Sequence, residues 1–303
     1  MSGDPLFSVI IPVYNRANLI SNAINSVLQQ SESDWELVIV DDCSTDNIGE
    51  VVSNYGDRRI KFIKLLKNKG NAGARNEGIQ QSRGQFIFFL DSDDEMWPNT
   101  LKTFKERLTT EDRIMFAFGG YQTREKKTGM IRKIFWKPRK GISFLEELKI
   151  GTGCGLFVRN DIFEKVGLFD ERLRVAVDTD WLIRLDNYKF YPTILDEILV
   201  TVNIHSGERV RKDRGQLLKS YEIIFEKNRG KIMKSSSLKR KFFYKLQWLN
   251  YHEGNIKKGN NYFNKLISDR IIYKNSILLF TLFNFLNKET AKAIHLKLSG
   301  QRL

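Results

Sequence analysis

Three carboxylates follow a strongly apolar run in the stretch FIFFLDSDDEMWP, residues 86–98. Asp91, Asp93 and Asp94 lie within four positions, and each negative charge raises the free energy needed to ionise its neighbours. We therefore expect a positively charged group beside them. Mg²⁺ or Mn²⁺ would serve, because these cations prefer one or two carboxylates together with the oxygens of a phosphorylated ligand.

Two further acids, Asp41 and Asp42, end the apolar run WELVIVDD. The residues that follow, CSTD, are typical of turns and helix caps, so both acids could serve a turn or a cap instead of a ligand. The acids at 91–94 could likewise cap a helix after Pro98, but one cap does not require three carboxylates. A ligand site is the better interpretation of that group.

The stretch GNAGARNEG, residues 70–78, is rich in glycine but lacks the G-x-G-x-x-G spacing. It also follows the third predicted strand instead of the first, so it is weak evidence for dinucleotide binding. The N-terminus of the helix that it opens could still face a phosphate group.

Apolar runs alternate with helical patterns through the first part of the chain. Alternation of this kind indicates right-handed crossovers and a parallel sheet covered by helices on both faces. Ligands of such sheets bind beyond the carboxyl ends of the strands, where Tyr14, Asn15 and both acidic groups fall. Strands are predicted at FSVIIPVYN, Trp35–Val40, Arg59–Leu66 and QFIFFL, and helices at about 17–30 and from NAGARNEGIQQ.

The composition is that of a folded globular protein, with 303 residues, 41% hydrophobic and 28% charged. The two cysteines, Cys43 and Cys154, lie far apart, which argues against a disulfide framework and fits a reducing compartment. No basic segment precedes the first apolar run, so no signal peptide is predicted. We expect a cytoplasmic protein.

Charge is unevenly distributed along the chain. Residues 206–303 carry 22 Lys and Arg against 7 Asp and Glu, whereas residues 1–205 carry 28 against 29. This asymmetry predicts two functional parts with a junction near residue 206.

Six sequence blocks carry a resemblance to a known family, and they cover about residues 5–205. They are SVIIPVYNR, LVIVDDCSTD, NKGNAGARNEGI, FIFFLDSDD, GTGCGLFVRNDIFEKVGLFDERL and DTDWLIRL. With them the chain resembles the family 2 glycosyltransferases, which have the GT-A fold, an α/β fold with a mostly parallel sheet flanked by helices. The resemblance implies a nucleotide-sugar donor, Mn²⁺ or Mg²⁺, and inverting transfer to an acceptor hydroxyl. UDP-sugar is the expected donor, and a bacterial surface glycan or lipid-linked glycan is the expected acceptor.

The resemblance also implies roles for residues near the nucleotide. Asp42 matches the acid that contacts the nucleotide base, and Asp41 is expected to be structural. Pro12 and Tyr14 match positions that line the nucleotide pocket. Arg75 matches the first residue of an Arg-Asn pair near the donor, for which packing or capping is an equal alternative.

In the D-x-D element of the family, Asp93 matches the metal ligand. Asp94 and His205 are candidates for further metal ligands. His205 could instead contact the diphosphate, and a lone His in a loop is equally often just solvated. Asp91 is assigned to the donor, and either Asp91 or Asp94 could hold the ribose or bound waters.

Inverting transfer requires a base that accepts the proton of the attacking hydroxyl. In the family an acidic pair opening a helix supplies it, and Asp178 matches the base position. The preceding acid of the family is replaced by Val177, and Asp180 remains an alternative base. Asp178 could instead only cap its helix, and Trp181 is expected in the core more readily than against a sugar.

The basic third, residues 206–303, is predicted to be a small α-helical domain. It contains a helical hairpin, whose first helix begins near Leu238 and whose second helix begins near Ile256. The apolar run at 276–286 is too short to span a membrane. It is either a core helix or an interfacial helix that inserts Leu279, Phe280, Phe283 and Leu286. Peripheral contact with the inner face of the cell membrane is favoured, and no nucleic acid is expected, since no recognised module accompanies the charge. Two rival functions are a nucleotidyltransferase on the same sheet and a non-catalytic binding protein.

Overall fold

The computed structural model of the protein describes residues 3–111, 113–136, 145, 154–204 and 213–298. The chain divides into two compact units. The first contains Met1–Glu171 and Val177–Gly207, and the second contains Arg172–Ala176 and Glu208–Leu303. The junction predicted near residue 206 lies outside the described residues and stays a prediction. The assignment of the short segment Arg172–Ala176 to the second unit has no signal in the sequence.

The first unit is built around one mixed sheet with helices. Its strands are β1 (Phe7–Val13), β2 (Trp35–Asp41), β3 (Ile60–Lys64), β4 (Phe86–Leu90), β5 (Glu95–Met96), β6 (Phe116–Glu125), β7 (Ile131–Ile134), β8 (Cys154–Arg159) and β9 (Thr193–Ile204). Its helices are α1 (Ile20–Leu28), α2 (Ile48–Ser53), α3 (Gly70–Gln81), α4 (Thr100–Thr110), α5 (Ile162–Val166) and α6 (Val177–Leu185), followed by a short 3-10 helix, Asp186–Tyr188.

The strand order is β3-β2-β1-β4-β8-β6-β9-β5, and β7 pairs with β6. The parallel sheet predicted from the sequence is confirmed for β1 to β4. Beyond β4 the sheet continues through antiparallel pairs with β8, although β6 and β9 run parallel. The α/β fold class is thus confirmed, with a sheet that is mixed as a whole.

The centre of the sheet is buried on both faces. Every residue of β1 and β2 is buried, as expected for strands covered by helices on each side. On one face Phe104 of α4 stacks on Phe157 of β8 at 4.2 Å between ring centroids, and Phe7 of β1 packs against both rings. This rigid core fixes the ends of β1, β2 and β4, from which the polar loops emerge.

The second unit is helical. Its helices are α7 (Arg214–Lys227), α8 (Arg229–Lys234), α9 (Ser236–Glu253), α10 (Ile256–Ser268), α11 (Lys274–Phe285) and α12 (Lys288–Leu298). The predicted helical hairpin corresponds to α9 and α10, and α9 ends at Gly254 with a φ of +89°, a left-handed conformation that favours glycine.

The apolar run at 276–286 forms most of α11, and its two sides differ. Leu279 and Phe283 are buried, and the Phe283 ring stacks on Tyr251 of α9 at 5.2 Å between centroids. The prediction that Leu279 and Phe283 insert into a membrane is therefore wrong, because both side chains belong to the helical core. Phe285 and Leu286 remain exposed. No helix within the described ranges combines the length and the hydropathy needed to cross a bilayer.

A pair of histidines is buried in this unit. His252 Nε2 lies 3.3 Å from His295 Nδ1, and Arg214 Nη1 lies 3.2 Å from His252 Nδ1. Burial lowers the pKa of His252 to about 3. The positive charge of Arg214 is the next largest cause, and Lys292 and Lys288 contribute smaller effects. Burial also lowers the pKa of His295. Both rings are therefore neutral near pH 7 and pack as uncharged core groups.

Candidate functional site

The loops that follow β1 and β2 are tied to each other by hydrogen bonds. The Asn15 N–H donates to Ser44 Oγ at 2.9 Å, and the Thr45 N–H donates to Asn15 Oδ1 at 2.8 Å. The Ala17 N–H donates to Asp46 Oδ2 at 2.8 Å. Asn15 has a φ of +50°, a left-handed conformation that asparagine tolerates better than most residues. These bonds hold the loops at the carboxyl edge of the sheet, where the predicted nucleotide contacts lie.

Of the residues predicted to line the nucleotide pocket, Tyr14 is exposed in this braced loop. Its side chain is 47% exposed. Pro12 is buried within β1, opposite Val40 of β2. Contact of either residue with a nucleotide stays a prediction.

Asp41 and Asp42 both bond to backbone groups. Asp42 accepts the Lys69 N–H at 2.6 Å and the Gly70 N–H at 2.8 Å, one on each carboxylate oxygen. Asp41 accepts the Ser44 N–H at 2.8 Å, which is a turn contact and fits the structural role expected for it. The N-terminus of α3 thus faces a carboxylate of the protein instead of an open phosphate site. Contact between Asp42 and a nucleotide base stays a prediction.

Helix α3 is also hydrogen-bonded to two other segments near the site, one at Asp91 and one at Phe169. Arg75 Nη2 donates to Asp91 Oδ1 at 2.8 Å, and its guanidinium carbon lies 5.4 Å from the centroid of the Phe89 ring. Asn76 Nδ2 donates to the Phe169 carbonyl at 2.9 Å, and its Oδ1 accepts the Phe169 N–H, also at 2.9 Å. Asn76 thus ties α3 to the backbone of Phe169, and Arg75 links α3 to the D-x-D element. Direct contact of Arg75 with a donor stays a prediction.

Arginines from distant parts of the chain lie beside the acids at 91–95. Arg16 Nη1 lies 2.6 Å from Asp93 Oδ1, in addition to the Arg75–Asp91 pair. Arg124 of β6 pairs with Glu95 at 3.2 Å. The positive charge that the sequence demanded is therefore supplied, within the protein itself, by arginine side chains. Sequence reasoning missed Arg16, whose one signal is its place directly after the first strand, and it missed Arg124, for which no signal exists.

Asp94 differs from its neighbours because it points into the sheet. Its side chain is 4% exposed, and Oδ1 accepts the Asn203 N–H of β9 at 2.9 Å. Asn203 Nδ2 also donates to the Asp93 carbonyl at 2.9 Å and to Glu95 Oε1 at 2.9 Å. Asn203, which sequence reasoning also missed, thus fastens the D-x-D loop to β9.

The carboxylates of Asp91 and Asp93 fit a divalent cation in their chemistry and exposure. Their side chains are 38% and 14% exposed, and carboxylate oxygens are preferred ligands of Mg²⁺ and Mn²⁺. Within the described ranges no three His, Cys, Asp or Glu side chains are grouped so as to hold a metal ion. His205 lies outside the described residues. Mg²⁺ and Mn²⁺ commonly combine one or two carboxylates with phosphate oxygens of a ligand. Asp91 and Asp93 as ligands of such a cation stay predictions.

The two candidate bases on α6 have different surroundings. Asp178 in the first turn is partly exposed, and its Oδ1 accepts the Thr179 N–H at 2.9 Å. Asp180 is fully buried, and its Oδ2 accepts a hydrogen bond from Arg184 Nε at 3.0 Å. A buried, paired carboxylate is poorly placed to meet an acceptor hydroxyl. Asp178 is therefore the accessible carboxylate of this helix.

Helix α6 is fixed to the preceding loop by polar contacts. Arg184 donates to the carbonyls of Val166 and, at 3.3 and 2.6 Å, of Gly167 and Leu168. The Trp181 indole N–H donates to the Gly167 carbonyl at 3.0 Å. The orientation of the first turn of α6 is thus set by contacts further along the same helix.

Trp181 belongs to the core, as expected from the sequence. Its ring is fully buried and packs against Phe163 at 5.1 Å and Phe169 at 5.8 Å between centroids. Both phenylalanines also pack against Phe89 of β4, two residues before Asp91. An aromatic cluster therefore joins the helix that carries Asp178 to the strand that leads into the D-x-D element.

Comparison with known sequences supports the resemblance. The family described as Glycosyl transferase family 2 matches residues 8–167. An uncharacterized glycosyltransferase of Rickettsia typhi is 31% identical, with 73% of this chain and 70% of that protein covered. Escherichia coli K12 WcaA, named as a glycosyl transferase of colanic acid biosynthesis, is 30% identical over 78% of this chain and 86% of its own length.

A third relative carries a detailed name. Escherichia coli WfgD is named as a UDP-Glc:alpha-D-GlcNAc-diphosphoundecaprenol beta-1,3-glucosyltransferase. It is 39% identical over 50% of this chain and 58% of its own length. Among solved structures, residues 1–349 of TarS from S. aureus in complex with UDP-GlcNAc match with a TM-score of 0.68. That match covers 97% of this chain and 92% of the TarS chain at 18% identity, so it supports the fold alone.

Proposed function

The chain belongs to glycosyl transferase family 2, and we propose that it moves a sugar from a nucleotide-diphosphate sugar to a hydroxyl of a glycan or lipid-linked glycan, with inversion. The observation that carries this proposal is the pair of partly exposed carboxylates, Asp91 and Asp93, beside arginines at the carboxyl edge of the sheet. That edge is where ligands of open α/β sheets bind. The nucleotidyltransferase and the non-catalytic binding protein find no support in the family match.

A UDP-sugar is the proposed donor, and a bacterial surface polysaccharide is the proposed product. The names of the relatives support both, since WfgD is named for UDP-Glc and a diphosphoundecaprenol-linked acceptor, and WcaA for colanic acid biosynthesis. The bound nucleotide sugar in the TarS structure is in line with this donor class.

Asp93, with Asp91 beside it, is the proposed anchor of a divalent cation. When bound, such a cation would compensate the charge of the diphosphate as the nucleotide leaves. Asp94 is expected to contribute indirectly, since its hydrogen bond to the Asn203 N–H fixes the loop that presents Asp93. His205 stays a candidate ligand.

Asp178 is the proposed general base. Its Oδ1 already accepts the Thr179 N–H, so the proton of the acceptor hydroxyl is expected to move to Oδ2. Val177 offers no polar group next to it, and so this base acts without a neighbouring carboxylate on its N-terminal side.

A donor screen tests the proposal directly. With Mn²⁺ present, we expect the protein to release nucleotide diphosphate from UDP-sugars faster than from GDP- or dTDP-sugars. The matched control is the same assay with EDTA, which should abolish the signal because the diphosphate charge is then uncompensated. The proposal fails if no sugar nucleotide in the screen is bound or turned over.

Peripheral contact with an anionic membrane is proposed for the second unit. Its charge is positive, with 22 bases against 7 acids in residues 206–303. Phe285 is 76% exposed and Leu286 is 41% exposed, and Lys288 is exposed two residues further on. Each base near an anionic surface contributes about 1 kcal/mol of attraction, and this attraction weakens with salt. An apolar pair beside basic residues fits the boundary between headgroups and acyl chains.

We expect the protein to sediment more strongly with anionic vesicles than with neutral ones, because the bases are attracted only by anionic lipid. The Phe285→Ser, Leu286→Ser double variant should lose binding that persists at high salt, because that part depends on apolar contact. Ile267→Ser, at a 50% exposed position of α10, is the matched control. Sedimentation with neither vesicle type would refute the membrane proposal and leave the basic charge for an acidic acceptor glycan. Equal sedimentation with both types would show that apolar contact, and not charge, attaches the protein to the membrane.

A further inference from the structure

Arg16 is paired with the acid that we assign to the cation. Its Nη1 lies 2.6 Å from Asp93 Oδ1, and the two side chains are 27% and 14% exposed. A carboxylate that already holds a guanidinium is a weaker ligand for a metal ion, because the cation must share or displace a positive charge. Asp93 is therefore only partly available until Arg16 finds another anion.

The backbone around Arg16 is fixed, so its side chain can change partner without moving the loop. The N–H groups on either side, of Asn15 and Ala17, donate to Ser44 and Asp46. The Arg16 carbonyl accepts the Leu19 and Ile20 N–H groups at the start of α1, at 3.0 and 3.1 Å. None of these bonds uses the guanidinium.

The charges of a loaded site favour a change of partner. A divalent cation and the doubly charged diphosphate of a nucleotide sugar cancel each other, so together they add no net charge to the neutral Arg16–Asp93 pair. If the cation takes Asp93, the guanidinium of Arg16 is left next to a diphosphate. Guanidinium groups bind phosphate oxygens with two parallel hydrogen bonds, which makes the diphosphate a natural second partner.

Arg75 is less suited to this exchange. Its side chain is 7% exposed, and its guanidinium both pairs with Asp91 and lies 5.4 Å from the centroid of the Phe89 ring. Arg16, in contrast, belongs to the loop that carries Tyr14 and is more exposed.

We propose that Arg16 exchanges anions during donor binding. It holds Asp93 in the donor-free protein and binds the diphosphate when a divalent cation takes Asp93. This inference rests on the proposed function and adds a diphosphate-binding residue to it. Its consequence is synergy: the cation alone binds weakly because it must displace Arg16, whereas the cation with a diphosphate binds well.

Electron paramagnetic resonance measures the binding of Mn²⁺ in the absence of nucleotide. Calorimetry measures the binding of UDP with and without Mn²⁺, and GDP and dTDP are titrated in parallel. Arg16→Gln should bind Mn²⁺ alone about tenfold more tightly and UDP with Mn²⁺ about tenfold more weakly, which is the scale of one charged hydrogen bond. Arg16→Lys should restore part of the UDP affinity. Arg58→Gln, at an exposed position before β3, removes the same charge and should change neither affinity.

The results separate the inference from the proposed function. Tighter binding of both Mn²⁺ and Mn²⁺ with UDP in Arg16→Gln would mean that Arg16 only blocks Asp93, and this would overturn the exchange. Unchanged affinities would overturn it as well, and in both cases the wild type would still bind nucleotide as proposed. If the wild type bound none of the three nucleotides, the proposed function would fail and the exchange with it.

Discussion

Asp178→Asn is expected to lower sugar transfer by roughly 10²-fold or more while leaving UDP affinity unchanged. The amide keeps the size of the side chain and can still accept the Thr179 N–H, but it cannot take the proton of an acceptor hydroxyl. The measurement is the transfer rate to an acceptor under saturating donor, together with calorimetric binding of UDP. Asp196→Asn makes the same chemical change at an exposed position of β9 and should leave the rate unaltered.

Asp180→Asn provides the second comparison, because Asp180 is the other candidate base. Asp180 is buried against Arg184, so this change leaves the guanidinium without its carboxylate and should lower the melting temperature. The transfer rate of the folded fraction should fall much less than in Asp178→Asn. A wild-type rate in Asp178→Asn would remove the base from this position and make Asp180 the next candidate.

The strands and helices that the sequence predicted are those whose pattern is local. All residues of β1 and β2 are buried and read as continuous apolar runs, and α1 shows a clear apolar stripe. Strand β7 could not be predicted in this way, because three of its four residues are exposed and its place in the sheet depends on pairing with β6. Pairing partners of that kind are specified by tertiary packing and leave little periodicity.

Within the candidate site, too, residues with a local sequence pattern could be predicted and residues placed by tertiary packing could not. The acids were visible because three carboxylates after a buried strand are unusual in any fold. Their partners were not, since Asn203 lies 109 residues from Asp94 in sequence and Arg124 lies in a strand that was not predicted. The sequence demanded a positive charge beside the acids but did not show that arginines of the protein supply it.

The apolar run of α11 shows a further limit of sequence reasoning. A short apolar helix can close a core or lie in an interface, and both need the same residues. In the structure one side of this helix closes the helical core, with Leu279 and Phe283 buried, and Phe285 is exposed. Only the positions of neighbouring helices decide which side of such a helix is covered.

Asp93→Ala is expected to abolish sugar transfer and to remove the effect of Mn²⁺ on UDP binding. The cation then loses its protein anchor, so the diphosphate charge stays uncompensated. The fold should survive, because Asp93 lies in the loop after β4 and outside the apolar core.

The variant also releases Arg16, and this sharpens the measurement. Binding of UDP without Mn²⁺ should be unchanged or slightly tighter in Asp93→Ala, because a free guanidinium faces the diphosphate, whereas the gain in affinity on adding Mn²⁺ should disappear. Calorimetric titration of UDP with and without Mn²⁺ gives both the affinity for UDP alone and the gain in affinity on adding Mn²⁺. Asp34→Ala, at an exposed position before β2, is the matched control and should keep the gain. If Asp93→Ala bound UDP with the same dependence on Mn²⁺ as the wild type, the cation would be anchored elsewhere, and Asp91 would be the next carboxylate to test.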